Sequence, residues 1–243
     1  MSAHDNAIFQ PLLKRLSKLS PLDEADRRAM TSLPTTIEVV SRNAYLVREG
    51  AVTKRCCLLL RGYACRHKTT GDGGRQIVSF HLPGDLLDLQ QLLLPRADHN
   101  VQAISMATIA WIPSAELQRL LRARPNVAGA LWRDSLVEAS IFREWVLNVG
   151  RRDAKSRIAH LLCEFAARQD AAGLGGPERF ELPMSQEDIA DATGFTPVHV
   201  NRMLQALVTD GVIVRDVRKI EIADLDRMRR IADFDPAYLH EAA

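Results

Sequence analysis

Four side chains between Pro197 and Leu207 have the chemistry to meet a nucleic acid: His199, Asn201, Arg202 and Gln205. Each carries N–H groups that suit base edges or phosphate oxygens. Between them, Val200, Met203, Leu204 and Leu207 recur at i, i+3, i+4 and i+7, the stripe of a helix buried on one side. Thr196 offers the N-cap of that helix, and Pro197 stands at the first helical position, where its missing N–H costs nothing. Upstream, Ser185 and Asp188 form a capping-box-like pair that opens an earlier helix, and Gly194 sits where the chain must turn sharply. Ala190, Gly194 and Val200 have the relative spacing of a helix-turn-helix: a small residue at the helix crossing, a turn glycine and a buried β-branched residue. A buried helical hairpin is the plain alternative. Two features weigh against it. The outer face of the second helix is polar and includes Arg202. After Asp210-Gly211, the segments Val212–Arg215 and Lys219–Ile222 read as a hairpin, a wing whose Arg215, Arg218 and Lys219 would meet a phosphate backbone.

The rest of the chain has to position this reader. At 243 residues it suits two modest domains. It has no 18-residue apolar run and no signal-peptide pattern in MSAHDNAIFQPLLKRLSKLS, so neither a membrane partner nor export is expected and the compartment would be the cytoplasm. The net charge of +2 is no nucleic-acid signature, and from Asp153 onward 11 Lys/Arg face 16 Asp/Glu. The motif, not the bulk charge, carries the reading; a domain of acidic balance still binds DNA if its basic residues cluster on one face.

Phe9 to Leu33 reads as short helices, with Phe9, Leu12, Leu13, Leu16 and Leu19 packing on the domain that follows. From Thr36 to Pro113 short strands are predicted at Ile37–Val40, Tyr45–Val47, Cys57–Leu60, Tyr63–His67, Gln76–His81, Val101–Ile104 and Thr108–Ile112. Gly50, Gly62, the Gly71–Gly74 turn and Pro83-Gly84-Asp85 punctuate them, as in a small sandwich or barrel that can hold a ligand. Pro125 opens a helix running to about Arg152. Ala128, Ala139, Phe142, Val146 and Val149 form one seam, with Leu131, Trp132, Leu136, Ile141 and Trp145 beside it. A helix apolar on two sides buries two faces, one on its own β-domain and one on a second copy. The dimer-helix residues are therefore expected to be Leu131, Ala139, Phe142, Val146 and Val149. Asp153 caps the next helix, Ala154 to Arg168, and Asp224–Leu239 reads as a terminal helix.

This order resembles the cyclic-AMP receptor / fumarate-nitrate regulator (Crp/Fnr) family of bacterial transcription factors over nearly the whole chain. The residues that carry the likeness are Gly50, Gly62 and Pro83-Gly84-Asp85, then Asp153-Ala154-Lys155-Ser156-Arg157-Ile158-Ala159, then Gly194-Phe195-Thr196 and Val200-Asn201-Arg202. The resemblance implies an α+β chain: a cyclic-nucleotide-binding-like β-roll over 1–123, a dimerisation helix over 124–152 and a winged helix-turn-helix over 153–243. It implies a homodimer on a roughly palindromic site of double-stranded DNA, with recognition helices in major grooves about 34 Å apart. By the same resemblance Arg202 pairs with a guanine, and Ser185 and Thr196 contact phosphates at helix N-termini, with Gln205 and the wing residues beside them. At the family's other two base-reading positions stand Pro197 and Val198; Val198 is left to touch a thymine methyl, and His199 and Asn201 take over part of the readout.

The sensor departs from the family's cyclic-nucleotide binders. Asp88-Leu89 stands where a Gly-Glu pair would hold the ribose, and Arg96, near the phosphate position, is one residue out of register. Asp88 and Arg96 remain the candidate pocket residues, for a signal other than cAMP. No cysteine precedes Cys56, which argues against a [4Fe–4S] centre. Cys65 and His67 share a strand face and could join His81 or His99 around a metal, but packing is the simpler reading, and Cys163 reads as a buried hydrophobe. No cofactor follows from the sequence, and no P-loop, GxSxG, HExxH or dinucleotide fingerprint suggests an enzyme. RNA polymerase is the further partner an activator would need, although no stretch marks its contact surface. The alternative is a ligand-binding module that regulates a partner protein and carries a degenerate helix-turn-helix.

Overall fold

In a computed structural model the described residues are 8–216 and 218–240. The chain divides into two compact units, one holding the residues up to Lys68 with Ser79–Glu138, the other Thr69–Val78 with Ala139–Glu241. The division falls inside the long helix.

The first unit opens with α1 (Gln10–Leu19) and α2 (Glu24–Thr31). Asp23 accepts the Asp26 N–H at 2.7 Å and starts α2 as a capping box. Strands β1 (Thr36–Val40), β7 (Ala107–Pro113) and β3 (Arg55–Arg61) form one antiparallel sheet. Strands β2 (Tyr45–Val47), β6 (Asn100–Ala103), β4 (Ala64–Thr69) and β5 (Arg75–His81) form the other. All seven strands lie where Gly and turn residues punctuate the apolar runs. Gly62 has φ +81°, and a Cβ there would sit 2.3 Å from the Met106 carbonyl oxygen, so the β3–β4 turn admits only glycine. Two apolar clusters fill the unit. One gathers Phe9 at the N-cap of α1 and Leu12 and Leu16 within it with Leu58, Ile112 and Leu131; the other gathers Leu59, Leu87, Val101, Ile109 and Trp111.

After α3 (Ser114–Ala123), α4 runs unbroken from Pro125 to Arg151. Its first half joins the first unit: Asn126 donates to Asp26 at 3.1 Å, Arg133 to Ser20 Oγ at 2.8 Å, and Leu131 is only 2% exposed. Leu131 therefore faces its own domain and is not open to a second copy, which corrects its place among the partner-facing residues. Ala139, Phe142 and Val146 are exposed, as are Trp132 and Leu136, while Val149 is half-buried near the Gly194 turn. Positions 132, 136, 139 and 146 keep the 4–3–7 spacing of a coiled-coil seam.

In the second unit α5 (Ala154–Ala172) starts on Asp153, whose carboxylate accepts the Lys155 and Ser156 N–H groups at 3.0 Å. These bonds hold the Asp153 carboxyl below the usual range. The helix runs past Arg168 to a left-handed Gly173. The second half of α4 packs on it through Trp145, whose indole N–H reaches the Glu164 carboxylate at 2.9 Å; burial raises that carboxyl's pKa. Three strands, β8 (Arg179–Glu181), β10 (Lys219–Ile222) and β9 (Ile213–Asp216), form the small sheet. The terminal helix is shorter than the sequence suggested. α8 (Leu225–Ala232) ends at Asp233 in the left-handed region, and a separate 3-10 turn covers Pro236–Leu239. Pro236 has no N–H to continue a helix and biases the residue before it away from helical backbone.

Candidate DNA interface

The reader is built on two capped helices. α6 (Gln186–Thr193) begins at Ser185, which accepts the Asp188 N–H at 3.1 Å, while the Ser185 N–H and O–H both donate to the Asp188 carboxylate at 2.9 and 2.7 Å. The Ser185 proton is thus committed to the cap rather than held free for a phosphate. Gly194 closes α6 with φ +72°, a conformation that costs a side chain dearly. Thr196 then caps α7 (Pro197–Thr209), accepting the His199 N–H at 3.3 Å, which leaves its own O–H to give. Val200, Leu204 and Leu207 are fully buried, and each such side chain contributes about 1.5–3 kcal/mol toward fixing α7 in place.

The opposite face of α7 is open. Val198 is 81% exposed, and Asn201, Arg202 and Gln205 are exposed beside it. Their polar atoms are arranged rather than loose. Arg202 Nη2 donates to His199 Nδ1 at 3.0 Å, and Gln186 Nε2 donates to Asn201 Oδ1 at 3.0 Å, which engages the Asn201 amide through its oxygen. The His199 ring, half-buried, stacks on Phe195 with centroids 4.7 Å apart and planes 24° apart. Arg157 lies over the Phe195 ring at 4.5 Å and donates to the Thr193 and Arg152 carbonyls at 2.8 and 3.0 Å. Gln186 had no place in the sequence analysis, and Arg157 and Phe195 entered it only as residues of the family likeness, with no contact assigned to them. The signal was an aromatic residue four positions before His199, with a turn between them.

In the wing, β9 and β10 pair with Arg215 opposite Ile220 and Asp216 opposite Lys219. Arg218 and Lys219 are exposed and Arg215 is half-buried. Basic groups thus stand at the wing, while the base-facing side chains stand on α7.

The pocket candidates of the roll have no such arrangement. Asp88 is buried completely; Oδ1 accepts the Cys57 N–H at 2.9 Å and Oδ2 has no hydrogen-bonding partner among the described residues. Desolvation pushes its carboxyl up to about 6. Arg96 is exposed and donates to the Gly50 carbonyl at 3.2 Å. One group is sealed in and the other sits on the surface, so the structure does not bring them together. All four cysteines are buried. Burial pushes the Cys56 and Cys163 thiols up to about 12 and Cys57 well above its ordinary value, which favours the protonated thiol in these three. Among the described residues no group of three or more His, Cys, Asp or Glu is placed to hold a metal ion, and no helix is long and apolar enough to cross a membrane.

Comparison with known proteins accords with this geometry. Residues 37–124 match the cyclic nucleotide-binding domain family and residues 156–231 the Crp-like helix-turn-helix domain family. The chain is 31% identical over 181 residues to the transcriptional activator protein FnrL of Cereibacter sphaeroides, covering 73% of this chain and 72% of that one. It is 30% identical over 213 residues to the nitrogen fixation regulation protein FixK of Bradyrhizobium diazoefficiens, covering 88% of each. The solved structure of FixK2 from Bradyrhizobium japonicum superposes with a TM-score of 0.75 at 27% identity, over 82% of this chain and 98% of that one. With a cyclic-nucleotide-binding-type domain, a long helix and a winged helix-turn-helix in that order, the chain belongs to the Crp/Fnr family of transcriptional regulators.

Proposed function

We propose that the protein is a homodimer that binds a palindromic DNA site in the cytoplasm and responds to a signal other than cAMP. The observation that carries the first half is the open face of α7: Arg202, Asn201 and Val198 exposed on a helix anchored by fully buried Val200, Leu204 and Leu207. Arg202 reads a guanine through two parallel N–H bonds, Asn201 donates to a base edge, and Val198 touches a thymine methyl. Thr196, Gln205, Arg215, Arg218 and Lys219 hold the backbone, with Ser185 ordering the start of α6 behind them. Dimerisation is supported by the apolar row on α4, where Trp132 is 71% and Val146 61% exposed. Such a row on one side of a long helix is what a second copy would cover. The separation of Asp88 and Arg96 supports a ligand other than a cyclic nucleotide, whose ribose and phosphate need an acceptor and a cation facing one pocket. Contact with RNA polymerase would follow if the protein activates transcription.

The test is selection of genomic fragments by the purified protein at about 0.15 M salt, with wild type beside Arg202→Ala. One palindromic motif should be enriched by the wild type and lost or relaxed at one base pair in the variant. Enrichment that is identical for both proteins would remove Arg202 from the readout, and no enrichment even with cell metabolites added would contradict the proposal.

A further inference from the structure

Arg202 has a neighbour that could either read DNA with it or hold it still. His199 lies one turn earlier on α7 and shares the open face. An arginine guanidinium only donates hydrogen bonds, so His199 Nδ1, 3.0 Å from Arg202 Nη2, accepts with its lone pair. The neutral ring then carries its proton on Nε2. That atom is buried and has no hydrogen-bonding partner among the described residues. Neither ring nitrogen is thus presented to a groove. The ring is seated instead on Phe195, 4.7 Å between centroids, and Phe195 lies under Arg157, which the Thr193 and Arg152 carbonyls anchor.

We propose that His199 is a positioning residue: seated on Phe195, it fixes the Arg202 guanidinium through Nδ1 and sets base discrimination without touching a base. This rests on the base-reading role of Arg202. An arginine on an open helix face loses rotamer freedom when it binds, and a partner that orders it beforehand removes part of that loss. The bond uses one hydrogen of Nη2. The remaining N–H groups of Arg202 still suffice for a two-point contact with guanine. Pro197 and exposed Val198 give this turn no polar side chain of their own, so discrimination leans on how well Arg202 is placed.

The test uses the full-length protein and a duplex carrying the selected half-site, against the same duplex with the guanine base pair exchanged. The readout is the ratio of the two affinities. His199→Phe keeps an aromatic ring on Phe195 and removes the acceptor; it should lower the ratio about three- to tenfold. His199→Asn restores an acceptor and should bring the ratio back toward wild type, a rescue that a merely structural histidine would not show. In an Arg202→Ala background His199→Phe should change nothing further, and the salt dependence of affinity should stay that of the wild type because no phosphate contact is removed. The assignment is overturned if His199→Phe keeps the ratio, if His199→Asn loses as much as His199→Phe, or if His199→Phe still lowers the ratio without Arg202. If Arg202→Ala itself keeps the ratio, or no half-site is ever enriched, the base-reading proposal falls and takes this one with it. If Arg202→Ala lowers the ratio and the histidine variants do not, only the positioning role falls.

Discussion

The reader and the roll handle polar groups in opposite ways. On the reader the polar side chains hold one another: His199 to Arg202 within α7, and Gln186 of α6 to Asn201 of α7. In the roll the two candidate pocket residues part company, Asp88 buried against a backbone N–H and Arg96 out on the surface against the Gly50 carbonyl. A surface that must meet a large, fixed partner is ordered before the partner arrives. The roll instead keeps a carboxylate oxygen buried with no hydrogen-bonding partner among the described residues, and such a group costs stability until something satisfies it.

The strongest way to break the comparison is to loosen the floor of the reader. Leu204 is fully buried beneath the open face, and Leu204→Ala should cost about 2–5 kcal/mol of unfolding free energy, read from denaturant melts. A cost under about 1 kcal/mol would mean that α7 is not anchored by its buried stripe. A pH-dependent change comes next. Asp88 titrates at about 6 when folded against 3.8 for a free aspartate. Between those values the folded chain keeps a proton that the unfolded chain has released, so stability falls as pH rises through that window and stays lowered above it. Asp88→Asn can still accept the Cys57 N–H and carries no charge. It should be more stable than wild type by about 3 kcal/mol near pH 8, with the gain fading as pH falls from about 6 toward 4. A gain of the same size at every pH, or none at any, would contradict the buried carboxylate. The smallest effect belongs to Arg96→Ala, which should move stability by less than about 0.5 kcal/mol and leave DNA affinity unchanged. A large loss of either would return Arg96 to a working pocket.

The same contrast explains what could be read from the sequence. The strands, both capping residues of the reader, the turn glycine and the wing are local signals, spelled by neighbours in the chain, and each element lies within a residue or two of its expected place. One helix over Asp224–Leu239 is too long because Pro236 cannot continue it. The burial of Leu131 escapes the sequence for a different reason: periodicity reveals that α4 has two apolar faces but not which of them its own core covers. The fates of Asp88 and Arg96 depend on Cys57 and Gly50, residues 31 and 46 positions away, and no spacing rule reaches that far. The Phe195–His199 stack lay closer to hand, an i, i+4 pair hidden by the turn that separates α6 from α7.

In the proposed dimer two copies of α7 read two half-sites at once. The most direct measurement takes the selected palindrome and the same duplex with five base pairs, about half a helical turn, inserted at its centre. A dimer joined along α4 should lose its sequence-specific affinity for the lengthened site and fall to the level of unrelated DNA, because the half-sites then lie on opposite faces of the duplex. Equal affinity for both duplexes would contradict the account: the chain would then be reading each half-site alone.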